Sequence, residues 1–125
     1  MREYKFRAWD KENKEMIPWE RLHIEFEGGF TTIWIPENKA VKKALLDFEL
    51  MQFTGLYDKN GKEIYEGDLV QVLDYASWEG LYKVVWDEES LMYVLEDAYG
   101  DKEKMCEFEH YLVRGNIYEN PELLD

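Results

Sequence analysis

The chain has 125 residues, 46% of them hydrophobic, which suits one domain, or a domain with an appendage, built around a real core. Its 28 acidic and 15 basic residues give a formal net charge of −13, and a surface that acidic repels phosphates, so neither direct nucleic-acid binding nor attachment to an anionic membrane is expected. No apolar run approaches the roughly 20 residues of a bilayer-spanning helix, MREYKFRAWD lacks the apolar stretch of a signal peptide, and the single Cys106 excludes an internal disulfide and fits a reducing cytoplasm.

The aromatic share of 16% favours pleated, half-buried surfaces. Tyr4–Asp10 predicts a strand, with Tyr4, Phe6 and Ala8 alternating against Lys5, Arg7 and Trp9. A polar turn follows, Lys11–Lys14, and within Glu15–Trp19 the chain returns extended until Pro18, completing a hairpin. Leu22, Ile24 and Phe26 alternate with His23 and Glu25 before the Gly28-Gly29 turn, and Phe30–Ile35 makes the second hairpin. Val41, Ala44, Leu45 and Phe48 recur at helical spacing behind the potential N-cap Asn38, which predicts one short amphipathic helix over Glu37–Phe48, packed on the sheet.

From Glu49 onward the pattern is β again. Phe53–Val72, FTGLYDKNGKEIYEGDLVQV, reads as strand, tight turn, short strand, second turn and strand, with Gly61 and Gly67 at the turns. Further strands are predicted at Leu50–Thr54, Leu69–Asp74, Leu81–Asp87, Met92–Glu96 and Leu112–Tyr118. Asn120 before Pro121 predicts a short terminal helical turn. The IYEGDLV segment is like the entry to an SH3-like barrel: Gly67 takes a turn conformation closed to other residues, Asp68 binds back to the turn's amides, and Val70, Val72, Val84 and Trp86 point inward. The expected architecture is mainly β: a small SH3-like antiparallel barrel over residues 49–125, with the hairpins and helix of residues 1–48 as an appendage sharing its core in one folding unit.

WDKENKEMI and YDKNGKEIY align without gaps, placing Asn13 where Gly61 stands. Shared turn chemistry accounts for this echo, both residue types tolerating the left-handed conformation.

Residues that could carry chemistry are few. A calcium loop starting at Asp58 would need an acid at its twelfth position, where Leu69 stands. Cys106, His110 and the distant His23 are too few for a structural zinc, and the thiol has no partner base in view, so a half-buried Cys106 and surface histidines are expected. Asp87-Glu88-Glu89 reads as a solvated turn tip. No nucleotide-binding, hydrolase or metalloprotease motif occurs, so neither an enzyme nor a cofactor is expected. Aromatic residues remain: Tyr57, Tyr65, Tyr75, Trp78, Tyr82 and Trp86 could form the kind of groove that grips extended peptides. Of these Trp78 stands out, because it sits in the loop-like Tyr75–Tyr82 segment, where a large aromatic suits a partner contact.

FRAWDKENKEMI near the start, LMQFTGLYDKNGKEIYEGDLV in the middle and VRGNIYENPELL at the end resemble the YopX family of phage and prophage proteins, and together cover about a third of the chain. Tyr57 and Arg114 depart from the family's usual residue types. The resemblance implies a small, mostly β protein from a temperate phage or prophage. It implies no activity, since the family has no established biochemical function, and no catalytic residues. The matched blocks are chiefly turn glycines, turn acids and core aromatics.

Three functions compete. One is a non-enzymatic protein-interaction module acting in the cytoplasm of a bacterial host on a phage or host protein, with its site at Trp78, Tyr75 and Tyr82 and flanks at Tyr57 and Tyr65. Another is an acidic, DNA-mimic-type decoy for a basic host protein, marked by steep salt dependence. The third is an enzyme, which would require a deep pocket with perturbed titratable groups. Phe6, Trp9, Trp19 and Trp34 also suggest a homo-oligomer through the N-terminal β segment.

Overall fold

The computed structural model describes residues 4–28, 30–34, 42–44, 48–74 and 80–124. They divide into two compact units, residues 4–52 and a C-terminal unit from Phe53 onward. Both are built from antiparallel strands and short 3-10 turns, so the chain is mainly β, as expected.

In the N-terminal unit β1 (Phe6–Asp10) pairs with β2 (Glu15–Ile17), Ala8 facing Ile17 and Asp10 facing Glu15. A 3-10 turn, Trp19–Arg21, leads to a separate three-stranded sheet of β3 (His23–Glu27), β4 (Phe30–Trp34) and β5 (Lys42–Ala44), with β4 in the middle. On its other side β1 pairs with the first half of β6 (Phe48–Tyr57), from Phe6 opposite Gln52 to Asp10 opposite Phe48. The period of two puts Ala8 inward, where it packs with Ile17, Leu22 and Phe48, and with Phe6, Ile24 and Leu50 at the margin.

One expectation fails here. Lys42–Ala44 is a strand, not part of a helix: it pairs with β4 through Thr32–Ala44 and Trp34–Lys42. An edge strand offered a ladder of hydrogen bonds outweighs a helical spacing of four apolar residues, a tertiary override of local pattern. Phe48, the last predicted helix position, opens β6 instead, and the others, 37–41 and 45–47, lie outside the described residues. The second strand of the first hairpin runs to Ile17 and ends at Pro18, as expected, with the 3-10 turn that contains Trp19 beginning directly after it.

In the C-terminal unit the end of β6 pairs with β7 (Glu63–Tyr65). β8 (Asp68–Val72), β9 (Tyr82–Asp87), β10 (Met92–Glu96), β11 (Lys102–Lys104) and β12 (Tyr111–Asn116) form a five-stranded sheet in the order β11-β10-β9-β8-β12. A 3-10 turn, Met105–Glu107, precedes β12, and another, Pro121–Leu124, follows it. β12 carries a bulge between Val113 and Gly115, and the guanidinium of Arg114 donates to Gln71 Oε1 from Nε (3.1 Å) and Nη2 (2.8 Å).

The core contains Ile64, Val70, Val72, Val84, Leu95, Met105, Phe108 and Tyr111. Val70, Val72 and Val84 are inward as expected; Leu69 is fully buried as well, so both faces of β8 are covered. Trp86 is the exception, at 39% exposed. It lies two residues beyond Val84, opposite Tyr93, and its ring stands edge-on to that tyrosine at 5.1 Å, leaving the outer face open.

Candidate functional site

The acids that look available for chemistry in the sequence are largely occupied in closing turns. Asp58, 7% exposed, accepts from the amides of Asn60 (2.8 Å) and Lys62 (2.9 Å) in its own turn and from Val113 (3.1 Å) on β12. The Lys59 amide donates to the Tyr111 carbonyl (2.8 Å), so one turn stitches the outer edge of β12. Burial raises the Asp58 pKa, but the amides of Val113, Lys62 and Asn60 and the Lys62 charge outweigh it and hold the carboxyl below the usual range. Asp68, fully buried, accepts from the Tyr65 amide at 2.8 Å, as the GDLV pattern predicts.

Asp74 accepts from the amides of Glu109 (3.0 Å) and His110 (2.8 Å), which lower its pKa. Asp87 is not a plain solvated tip: it accepts from the Ser90 hydroxyl (2.6 Å) and amide, and from Lys102 Nζ (3.1 Å), and these bonds lower its pKa. The echo between the two hairpins is also carried by a carboxylate. Asp10 accepts from Glu12 and Asn13 much as Asp58 does from Asn60 and Lys62. The left-handed residue differs. It is Lys14 (φ 52), not Asn13, whose side chain instead donates to Asp10 Oδ2. Asp10 pairs with Glu15, whereas the Asp58 amide reaches the carbonyl of Lys62, so the first loop is one residue longer and its positive φ comes one place later.

The remaining reactive groups are scattered. Cys106 is exposed rather than half-buried, because its 3-10 turn sends Met105 into the core. His110 is exposed with Nδ1 3.9 Å from Asp74, and His23 is exposed. Among the described residues no three His, Cys, Asp or Glu side chains group to hold a metal, and no helix is long and apolar enough to cross a membrane. Tyr111 is buried, with its hydroxyl directed at the carbonyls of Met105 and Phe108; burial, then the Asp74 charge, raises its pKa.

The aromatic candidates occupy different environments. Tyr57 is 50% exposed and packs edge-on against Phe53 at 5.5 Å. Tyr65 is buried on the same Phe53 ring, also at 5.5 Å, so it supports Tyr57 from inside instead of offering a surface. Tyr82 is half-buried against the core, and burial, then the charges of Asp97 and Glu103, raise its pKa. Tyr75 and Trp78 lie outside the described residues.

One concavity of the C-terminal unit has no counterpart among the sequence expectations. A groove of about 700 Å³ is bounded by the start of β9, the β10–β11 turn and the terminal 3-10 turn, with Leu81, Tyr99, Leu123 and Leu124 as its apolar lining and Lys83 and Glu96 as a charged pair. Tyr99 is 91% exposed, Leu124 51% and Leu123 38%. The one sequence signal was the Asn120-Pro121 cap, which predicted the turn but not where its two leucines point.

A family model described as YopX protein matches residues 5–125. Protein EF1440 from Enterococcus faecalis has a solved structure that is similar over 100% of both chains, with 29% identity and a TM-score of 0.63. The solved structure of protein yopX from Bacillus subtilis is similar over 97% of this chain and 98% of its own, with a TM-score of 0.64 and 22% identity, a likeness of fold. No curated protein matches.

Proposed function

The chain belongs to the YopX family, and from that premise we propose that it is a non-enzymatic protein-interaction module, working in the cytoplasm of a bacterial host on a phage or host protein. One observation carries this reading: Asp58, Asp68, Asp74 and Asp87 are engaged with backbone amides, while large apolar side chains stand exposed on the same unit. Side chains committed to turns leave little for catalysis, whereas exposed aromatic and aliphatic groups on a rigid sheet supply binding energy.

The Tyr75–Tyr82 segment, with Trp78 as anchor and Tyr57 as a flank, is the part of the proposal that rests on the sequence. The experiment is capture of a partner on immobilised protein, followed by reconstitution with the purified partner. Trp78→Ala should leave thermal unfolding unchanged and lose capture, since truncating a central tryptophan costs ~2 kcal/mol or more in binding. A folded Trp78→Ala protein that captures the partner as well as the parent would overturn the placement.

The charge of −13 favours a second reading, an acidic decoy that occupies a basic host protein. Raising salt from 50 to 500 mM separates the two: a decoy loses affinity steeply, an aromatic and aliphatic contact far less.

A further inference from the structure

We infer that the groove between Leu81, Tyr99 and Leu123–Leu124 receives a short basic segment of a partner protein that inserts an apolar side chain; this rests on the interaction-module reading and adds to the Trp78 contact a second contact surface with its ligand class.

Both movable walls of the groove are tied down by side chains that serve no core. Asp97 Oδ1 accepts from the amides of Tyr99 (2.8 Å) and Asp101 (3.0 Å), while the backbone closes Asp97 onto Asp101 (2.9 Å) and Gly100 onto Asp97 (3.1 Å). The backbone that carries Tyr99 is thereby closed into a turn, and its ring stands exposed. At the other wall Asn116, 6% exposed, accepts from the amides of Tyr118 (3.0 Å) and Glu119 (2.8 Å), and its own amide donates to Asn120 Oδ1 (3.2 Å). The Leu123 amide donates to the Asn120 carbonyl (3.1 Å). Gly115 leaves room for this clamp, since a Cβ there would meet Asn120 Oδ1 at 2.5 Å. A buried asparagine and a space-making glycine thus orient a turn whose leucines stay exposed. Such pre-organisation removes the ordering cost of binding.

Charge selects the occupant. Lys83 in the groove is already engaged by Glu96 at 3.5 Å, and Asp97 adds a further negative charge to the lining. Asp101 and Glu103 follow on the adjoining turn and strand, and Lys102 between them reaches away to Asp87 at 3.1 Å. An acidic segment is repelled here, as is a second copy of a chain carrying −13. A lysine- or arginine-bearing segment with one leucine or tryptophan satisfies both the acidic rim and the apolar floor.

The test is a nuclear magnetic resonance titration of the full chain with the acetylated peptide Arg-Leu-Arg-Trp-Arg-Leu, and with a counterpart in which glutamate replaces arginine. Saturable shifts confined to the amides of Leu81, Ala98, Tyr99 and Leu123, absent with the glutamate peptide, are the expected result. Tyr99→Ala and Leu124→Ser alter exposed side chains without changing charge and should each weaken binding roughly tenfold. Shifts scattered over acidic surface far from the groove, affinity unchanged in both variants, or groove shifts that appear with protein concentration alone would overturn the assignment, the last pointing to a second copy. A partner that the Tyr99→Ala, Leu124→Ser double variant still captures would remove the groove and leave the interaction module standing.

Discussion

Gly67 joins three strands, and Gly67→Val should be among the most damaging single changes in the C-terminal unit. The residue is buried at φ 88; its amide donates to the Val84 carbonyl (2.8 Å) and its carbonyl accepts from the Ile117 amide (3.0 Å). Valine can respond in two ways. Keeping the positive φ puts a β-branched residue in a conformation it almost never adopts, at about 1–3 kcal/mol. Relaxing to a negative φ rotates both peptide groups away from their partners and forfeits two hydrogen bonds, about 1 kcal/mol each. Either route costs on the order of 2 kcal/mol, which for a unit this size lowers the melting temperature by about 10 °C. Circular dichroism melts and urea midpoints with an unchanged m-value measure it. Gly61→Ala is the control: its φ is 81 with nothing within 4 Å of the added Cβ, so only the backbone strain of about 1 kcal/mol should appear. A Gly67→Val protein that melts with the parent would refute the reasoning.

Two other changes probe the carboxylate and phenol that hold β12. Asp58→Ala removes the acceptor of three amides and should cost about 2 kcal/mol in urea denaturation, with Val113 losing hydrogen-exchange protection. Because the folded-state pKa of Asp58 lies below its unfolded value, its stabilisation is complete above about pH 4 and disappears as pH falls through the folded pKa. Stability of the parent should therefore drop faster than that of Asp58→Ala below pH 4; parallel acid profiles would contradict this. Tyr111→Phe leaves the carbonyls of Met105 and Phe108 without the phenol and should cost about 1 kcal/mol, read by the same denaturation; an unchanged midpoint would show that the hydroxyl is dispensable.

Local chemistry was legible in the sequence, and what depended on distant neighbours was not. The Asp58 turn, Gly67 and the return of Asp68 to the Tyr65 amide are written within a few residues. The bond from Val113 to Asp58 spans 55 residues, and no spacing rule reveals it. Lys42–Ala44 has a helical apolar rhythm, yet the edge of β4 makes it a strand. Trp86 keeps the inward parity of Val84, but exposure depends on where the core stops, which parity does not encode. The groove gathers Leu81, Tyr99 and Leu123 from three separated turns, so no window of sequence contains it. The aromatic pattern points instead to Trp78, with Tyr65 as a flank, and the Tyr65 ring turns out to close the core beneath Tyr57.

The position of β12 has a consequence for how the molecule is made. It is synthesised after the other strands of its sheet, yet it lies directly against β8, whose partner on the other side, β9, is complete some 24 residues of chain earlier. Until Tyr111–Asn116 leaves the ribosome, β8 is an open edge bearing Leu69, Val70 and Val72, and the Asp58 turn has nothing to hold. A polypeptide halted before Tyr111 is therefore a sticky template for strand addition and not a smaller domain. Closure of the sheet on this side waits for Tyr111–Asn116, and a nascent chain stalled before it presents the β8 edge to strand addition.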